Sequence, residues 1–349
     1  MEDAEPIGHN ETAGENFKIR VVEPKLSFTF STKALVVVIL AGLFFSGTTV
    51  AATITDNAGR TIAFDKPFTR VISLYGAHTE NLFFLGLDKE IIGVSKNESY
   101  PEKAKKKPWF SYHDDAEKFL GVMPDLVLVR PMIERGYPGL IKRLEKSGIT
   151  VVSLQPGTVS KMYKYWRTLG ILTGKRDEAC EMINSFQKKR AYFFSLGKDV
   201  KNKKKVYFEA IHSRMKTFTP GSMALFALEA AGGVNVADDA KASRGTNIGN
   251  YGKEKILSHA SEIDVFIAQK GVMNQTSKEI IKNEPGFSII KAVKNDQIYI
   301  IDETIVSRPG FRLLKGIKRI REILYPGGRG VENRKHAHKK DKKNNEQIR

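Results

Sequence analysis

The chain has 349 residues, 41% of them hydrophobic, which is enough to bury a core in two domains and excludes a wholly disordered protein. One cysteine, Cys180, excludes an intrachain disulfide and reads as a buried small hydrophobe on an apolar helix face. The formal charge of +18 would suit nucleic acid, anionic membrane or an anionic small ligand, but no recognised nucleic-acid motif accompanies it, so nucleic acid is set aside as a partner.

Residues 34–45, ALVVVILAGLFF, form the first clear element, an apolar run preceded by Lys18, Arg20, Lys25 and Lys33. About twelve apolar residues suit the core of a signal peptide, whereas a spanning helix needs roughly twenty. Small side chains at Val50 and Ala52 predict cleavage after Ala52, with residues 1–52 a signal peptide or, if uncleaved, an N-terminal anchor. No cysteine follows the run, so the expectation is a periplasmic protein that is not a lipoprotein.

Next comes a lid-like hairpin, 53–55 and 61–64, around Asp56-Asn57-Ala58-Gly59. Short β-branched strands at 70–74, 91–94, 125–129 and 150–154 alternate with helices at 79–85 and 141–147. Apolar spacing then predicts helices over 159–172 and 177–196, the second with Ala179, Met182, Ile183, Phe186, Ala191 and Phe194 on one face. The pattern begins again with strands at 206–210, 265–268 and 297–301 and helices at 223–231, near 278–283 and at 310–324. A local repeat links the halves: Glu117 precedes Asp125 and the run LVLV by eight residues, as Glu254 precedes Glu262 and the run VFI. The expected fold is α/β, with two Rossmann-like lobes of mainly parallel sheet joined by a single long backbone helix. Its boundaries are 53–172, 173–200 and 201–328. The tail 329–349, with eight Lys/Arg against three Asp/Glu, reads as disordered.

Three stretches carry a family resemblance: Arg70-Val71-Ile72-Ser73-Leu74 with Thr79-Glu80 and Leu85-Gly86-Leu87; Glu117 through Met123-Pro124-Asp125 to Gly148-Ile149-Thr150; and Ala230-Ala231-Gly232-Gly233 with Asp296-Gln297-Ile298-Tyr299 and Arg308-Pro309-Gly310. In order and spacing the chain resembles the periplasmic-binding proteins of iron-siderophore, haem and vitamin B12 ABC importers. The resemblance implies a rigid two-lobed binder that acts as a monomer, captures a ferric siderophore, haem or corrinoid between its lobes, and delivers it to a permease and its ATPase. It also implies that Glu117 and Glu254, one per lobe, dock on permease arginines.

Ligands of open α/β sheets lie beyond the carboxyl ends of the strands. That rule, applied to the strand-ending loops, nominates Tyr75, His78, Trp109, Tyr112, Arg130, Arg214 and Arg308 as ligand-binding, with His113, Arg135, Gln155, His212, Arg244 and Gln269 nearby. Phenolate or imidazole would suit a metal, and arginine would grip carboxylate or catecholate oxygens. No cluster has metal-ligand spacing, so neither a dedicated metal site nor an intrinsic cofactor is expected. An enzyme on the same two-lobed plan would need a G-x-G-x-x-G, a P-loop or a nucleophile elbow, and none is present. A membrane-anchored receptor or sensor of the same fold remains as the alternative if residues 1–45 are retained.

Overall fold

The computed structural model describes residues 52–198, 200–243 and 246–327. The apolar run, the basic tail and Arg244 lie outside the described residues, so the readings placed on them do too.

Strands β1 (Ala52–Thr55) and β2 (Thr61–Phe64) pair antiparallel. This hairpin is clamped to the body and does not form a lid. The buried Asp56 carboxylate accepts from Ser153 N at 3.1 Å, Asn57 N donates to Ser153 O at 2.8 Å, and Arg60 bridges to Glu134 and Glu145 at 2.9 and 2.6 Å.

In the first half, β3 (Val71–Ser73), β4 (Ile91–Ser95), β5 (Trp109–Phe110), β6 (Leu126–Val129) and β7 (Thr150–Ser153) form a wholly parallel sheet in the order β5-β4-β3-β6-β7. Every residue of β6 is buried, as a central strand covered on both faces requires. In the second half, β8 (Lys205–Ile211), β9 (Lys216–Phe218), β10 (Val234–Asn235), β11 (Ile248–Asn250), β12 (Val265–Lys270) and β13 (Ile298–Asp302) form a sheet ordered β11-β9-β8-β12-β13, with β10 also on β8. Its long strands are parallel, while β9 and β11 run antiparallel to their neighbours. Strands β9, β10 and β11 escape the sequence pattern because two or three residues each are too few to show a period.

The halves meet through two helices, Val159–Thr173 and Arg176–Lys198. Thr158 caps the first, and Gly174 ends it at φ 70°, a left-handed conformation that glycine adopts without steric cost and that reverses the chain. The second helix, 23 residues or about 34 Å long, is the bridge. Its buried face is Ala179, Met182, Ile183, Phe186, Phe193 and Leu196. The expected stripe therefore shifts at its end, since Ala191 is exposed, Phe193 is buried and Phe194 packs part-buried against the core beside Phe226. Cys180 is exposed too, correcting its assignment to the core. One continuous cluster runs from Leu82 and Trp166 through Phe186 to Leu225 and Ile317, joining both lobes to the bridge. Close packing of that kind resists shear between the lobes. No helix among the described residues is long and apolar enough to cross a membrane.

Candidate functional site

A cleft of about 1190 Å³ lies between the lobes. The first lobe supplies loops that follow β3, β4, β5, β6 and β7, all at the carboxyl ends of parallel strands. Opposite them stand Ile211, Arg214 and Lys216 beside β8 and β9, Gln269 and Met273 at the end of β12, and Glu303 with Ser307–Pro309 beyond β13.

The lining is cationic. Lys96, Arg130, Arg135, Lys161, Arg214, Lys216 and Arg308 face one carboxylate, Glu303, among the described residues. Of the four arginines only Arg308 has a carboxylate partner there. Tyr75, Phe110 and Tyr112 add aromatic wall, and Met132, Val272 and Met273 leave apolar surface exposed at the rim.

Tyr75, the residue preceding the helix Gly76–Phe84, carries the Arg130 guanidinium 5.1 Å from its ring centroid. Burial raises its phenol above the ordinary value, against the pull of Arg130 and Arg308, so Tyr75 presents a neutral hydroxyl. Tyr112 packs at a tilt against His113 and Tyr137, 4.5 and 4.7 Å between centroids, forming an aromatic corner.

Arg308 has two duties. It lines the cleft, and its Nη1 donates to Glu80 Oε1 at 2.8 Å, where Arg312 Nη1 also donates at 3.0 Å. Asn81 Nδ2 donates to Pro309 O at 2.9 Å in the same layer. This cluster ties the first lobe to the chain's last segment at the cleft floor. Burial pushes the Glu80 carboxyl upward while the two guanidinium groups pull it back. Gly76 makes the approach feasible, because a Cβ there would stand 2.3 Å from Arg308 Nη1.

His78 is a correction. It is fully buried behind the wall, and both ring nitrogens are engaged: Nε2–H donates to Val129 O at 3.0 Å, and Nδ1 accepts from the Tyr165 hydroxyl at 2.7 Å. Burial lowers its pKa to about 4, so the ring is neutral and has no free lone pair for a metal. Trp109 is also corrected. Alternation along β5 turns Phe110 into the first lobe's core against Phe119 and Trp109 to solvent, half exposed beneath the Lys118 ammonium at 4.0 Å.

His212 faces away from the cleft as well. Its Nδ1 lies 2.9 Å from Glu209 Oε2 and its Nε2 3.4 Å from Glu284 Oε2, and the Glu209 hydrogen bond raises its pKa. A histidine raised in the folded state stabilises fully below its unfolded value, about 6.5, and that contribution is lost as pH rises through the folded value. We expect His212→Gln to cost about 1.5–3 kcal/mol at pH 6, the worth of a hydrogen bond to a charged group. The deficit should shrink toward pH 9 in thermal melts; parallel curves for the two proteins across that range would refute the assignment.

Arg130, Arg135, Arg214, Gln155 and Gln269 line the cleft where the strand-end rule put them. Lys96, Lys161, Lys216 and Glu303 were missed, although Lys96 directly follows β4 and the same rule could have found it. Glu117 and Glu254 each occupy the second position of a short helix, Ala116–Leu120 and Lys253–Ser258. Each lies four residues beyond a cleft-lining residue, His113 and Asn250. Glu117 pairs with the exposed Arg143. The repeat runs through Asp264 and not Glu262: Asp125 accepts from Arg70 N at 2.9 Å before β3, and Asp264 accepts from Lys205 N at 2.9 Å at the start of β8. Among the described residues no group of three or more His, Cys, Asp and Glu could hold a metal ion.

The sequence profile of the periplasmic binding protein family matches residues 71–305. The chain is 24% identical over 279 residues to the uncharacterized ABC transporter substrate-binding lipoprotein YvrC of Bacillus subtilis, covering 78% of this chain and 85% of that one. It is 23% identical over 232 residues to a cobalamin-binding protein of Halobacterium salinarum, covering 65% of this chain and 61% of that one. The crystal structure of a possible iron-binding (periplasmic solute-binding) protein of Staphylococcus epidermidis superimposes with a TM-score of 0.65 at 28% identity, over 74% of this chain and all of that one.

Proposed function

The chain belongs to the periplasmic binding protein family, a family of transport proteins and not of enzymes, and from that premise we propose that its cleft captures an anionic metal chelate for an ABC importer. The observation that carries this reading is the charge of the lining, seven cationic side chains against one carboxylate, with Arg130, Arg135 and Arg214 free of carboxylate partners among the described residues. Arginines left unpaired in a concave site favour carboxylate or catecholate oxygens, which they hold bidentately. A volume of about 1190 Å³ exceeds the usual range of roughly 300–1,000 Å³ and suits a bulky complex. With His78 committed to the core and the Tyr75 phenol raised by burial, a complex whose metal is already saturated by its chelator suits this lining. A ferric siderophore bearing carboxylate or catecholate groups fits best, and haem, with its two carboxylates, shares that chemistry. A corrinoid is the second reading, favoured by the aromatic wall and by the cobalamin-binding relative.

The lobes divide at 53–172 and 201–328 about the bridge 173–200. Export by the segment 1–52, with cleavage after Ala52, would leave three of the four β1–β2 pairs intact, Thr53–Ala63, Ile54–Ile62 and Thr55–Thr61. The protein then works outside the cytoplasm, in a periplasm, and hands its cargo to the permease through Glu117 and Glu254.

Titration calorimetry tests the ligand class. A ferric tris-catecholate should bind at least about tenfold more tightly than cyanocobalamin, a gap of about 1.4 kcal/mol, and should weaken as salt is raised. Tighter binding of cyanocobalamin would replace this reading with the corrinoid one. Binding of neither, nor of haemin, would reject both.

A further inference from the structure

A second cavity, of about 650 Å³, opens where the first lobe, the bridge and the second lobe meet. Thr158, Val159, Ser160 and Tyr163 border it at the start of one helix, Arg190 comes from the bridge, and Pro220, Leu225 and Phe226 come from the second lobe. It shares only Thr158 with the cargo cleft.

Its lining holds polar groups that the fold leaves unused. The Tyr163 hydroxyl and both amide atoms of Asn235 are buried and have no hydrogen-bond partner among the described residues. Buried polar groups without partners are costly, and ordered water or a bound group that meets them offsets that cost. Lys203 borders the cavity but is exposed, so its part-buried cation is Arg190. Its guanidinium lies over the Phe194 and Phe226 rings, 5.2 and 5.5 Å from their centroids, and is paired with no carboxylate among the described residues. Glu229 and Asp238 also border the cavity but are exposed, where water screens them. Leu225, Phe226 and Pro220 give the walls an apolar character.

We propose that this cavity is an accessory binding site for a small amphiphilic carboxylate, its acid group on Arg190 and its apolar body against Leu225, Phe226 and Pro220. Such a ligand touches both lobes and the bridge at once and braces their junction, whatever the cargo is.

Octanoate is the probe, with octan-1-ol as the control for charge, titrated calorimetrically into the purified protein. One saturable octanoate site is expected. Ser160→Trp, an exposed change at the mouth, should abolish it. Arg190→Gln should weaken octanoate about tenfold or more with little change for octan-1-ol, and Arg214→Gln, in the cargo cleft, should leave octanoate binding unchanged. The proposal is overturned if octanoate does not saturate, or if Arg214→Gln removes binding while Ser160→Trp does not, since octanoate then sits in the main cleft.

Discussion

Replacing Glu80 by alanine should lower the free energy of unfolding by about 3–5 kcal/mol, the usual cost of stripping one partner from a buried ion pair. Glu80 is 1% exposed, and the two guanidinium groups that share its Oε1 belong to side chains only 13% and 11% exposed. Without the carboxylate, two cations face each other in a poorly hydrated floor. Glu80→Gln keeps the shape and an acceptor, so it should cost less than Glu80→Ala. Gly76→Ala attacks the same cluster from the other side, because the added methyl occupies the place of Arg308 Nη1. Urea unfolding at neutral pH reads all three. A loss below about 1 kcal/mol for Glu80→Ala would mean that both arginines rehydrate through the cleft, and that the floor does not hold the lobes together.

The combined change Glu117→Arg with Glu254→Arg should abolish uptake and leave cargo affinity within about twofold. Both side chains are exposed, neither lines the cleft, and each stands in the first turn of its helix, so removing them disturbs no packing. With Glu117 paired to Arg143, a partner arginine would compete for it, and together with Glu254 it would meet one acidic side chain on each lobe. Meeting arginines there would orient the complex, and reversing both signs sets like charges against each other at a cost of several kcal/mol. Uptake of labelled ferric chelate by whole cells should fall by about two orders of magnitude or more, while calorimetry on the purified variant shows the cargo still bound. If transport survives the double reversal, both glutamates merely favour their helix N-termini. The double variant and the ligand titration fail independently, so a wrong cargo and a wrong docking surface remain distinguishable.

Much of the architecture was legible before any coordinates. Runs such as Leu126–Val129 are apolar throughout because both faces of a central parallel strand are covered, and that burial is written into consecutive residues. The bridge was legible for a similar reason, since a stripe at three- and four-residue spacing belongs to one helix. The stripe fails only at its end, where Ala191 is exposed and Phe193 and Leu196 are buried beside the part-buried Phe194. The strand-end rule also located the cleft arginines, because a parallel sheet fixes which loops converge.

Local pattern therefore carries the alternation of strands and helices, the bridge, and the loops from which the cleft is built. Which way the loop side chains point depends on contacts made in the assembled fold. His78 turns inward because Val129 and Tyr165, 51 and 87 residues away, offer its two nitrogens partners, and Trp109 turns outward because a two-residue edge strand has room for one inward ring. Arg308 meets Glu80 across 228 residues. Secondary structure follows a local period, whereas the choice between wall and core depends on partners that the chain brings together only when it folds.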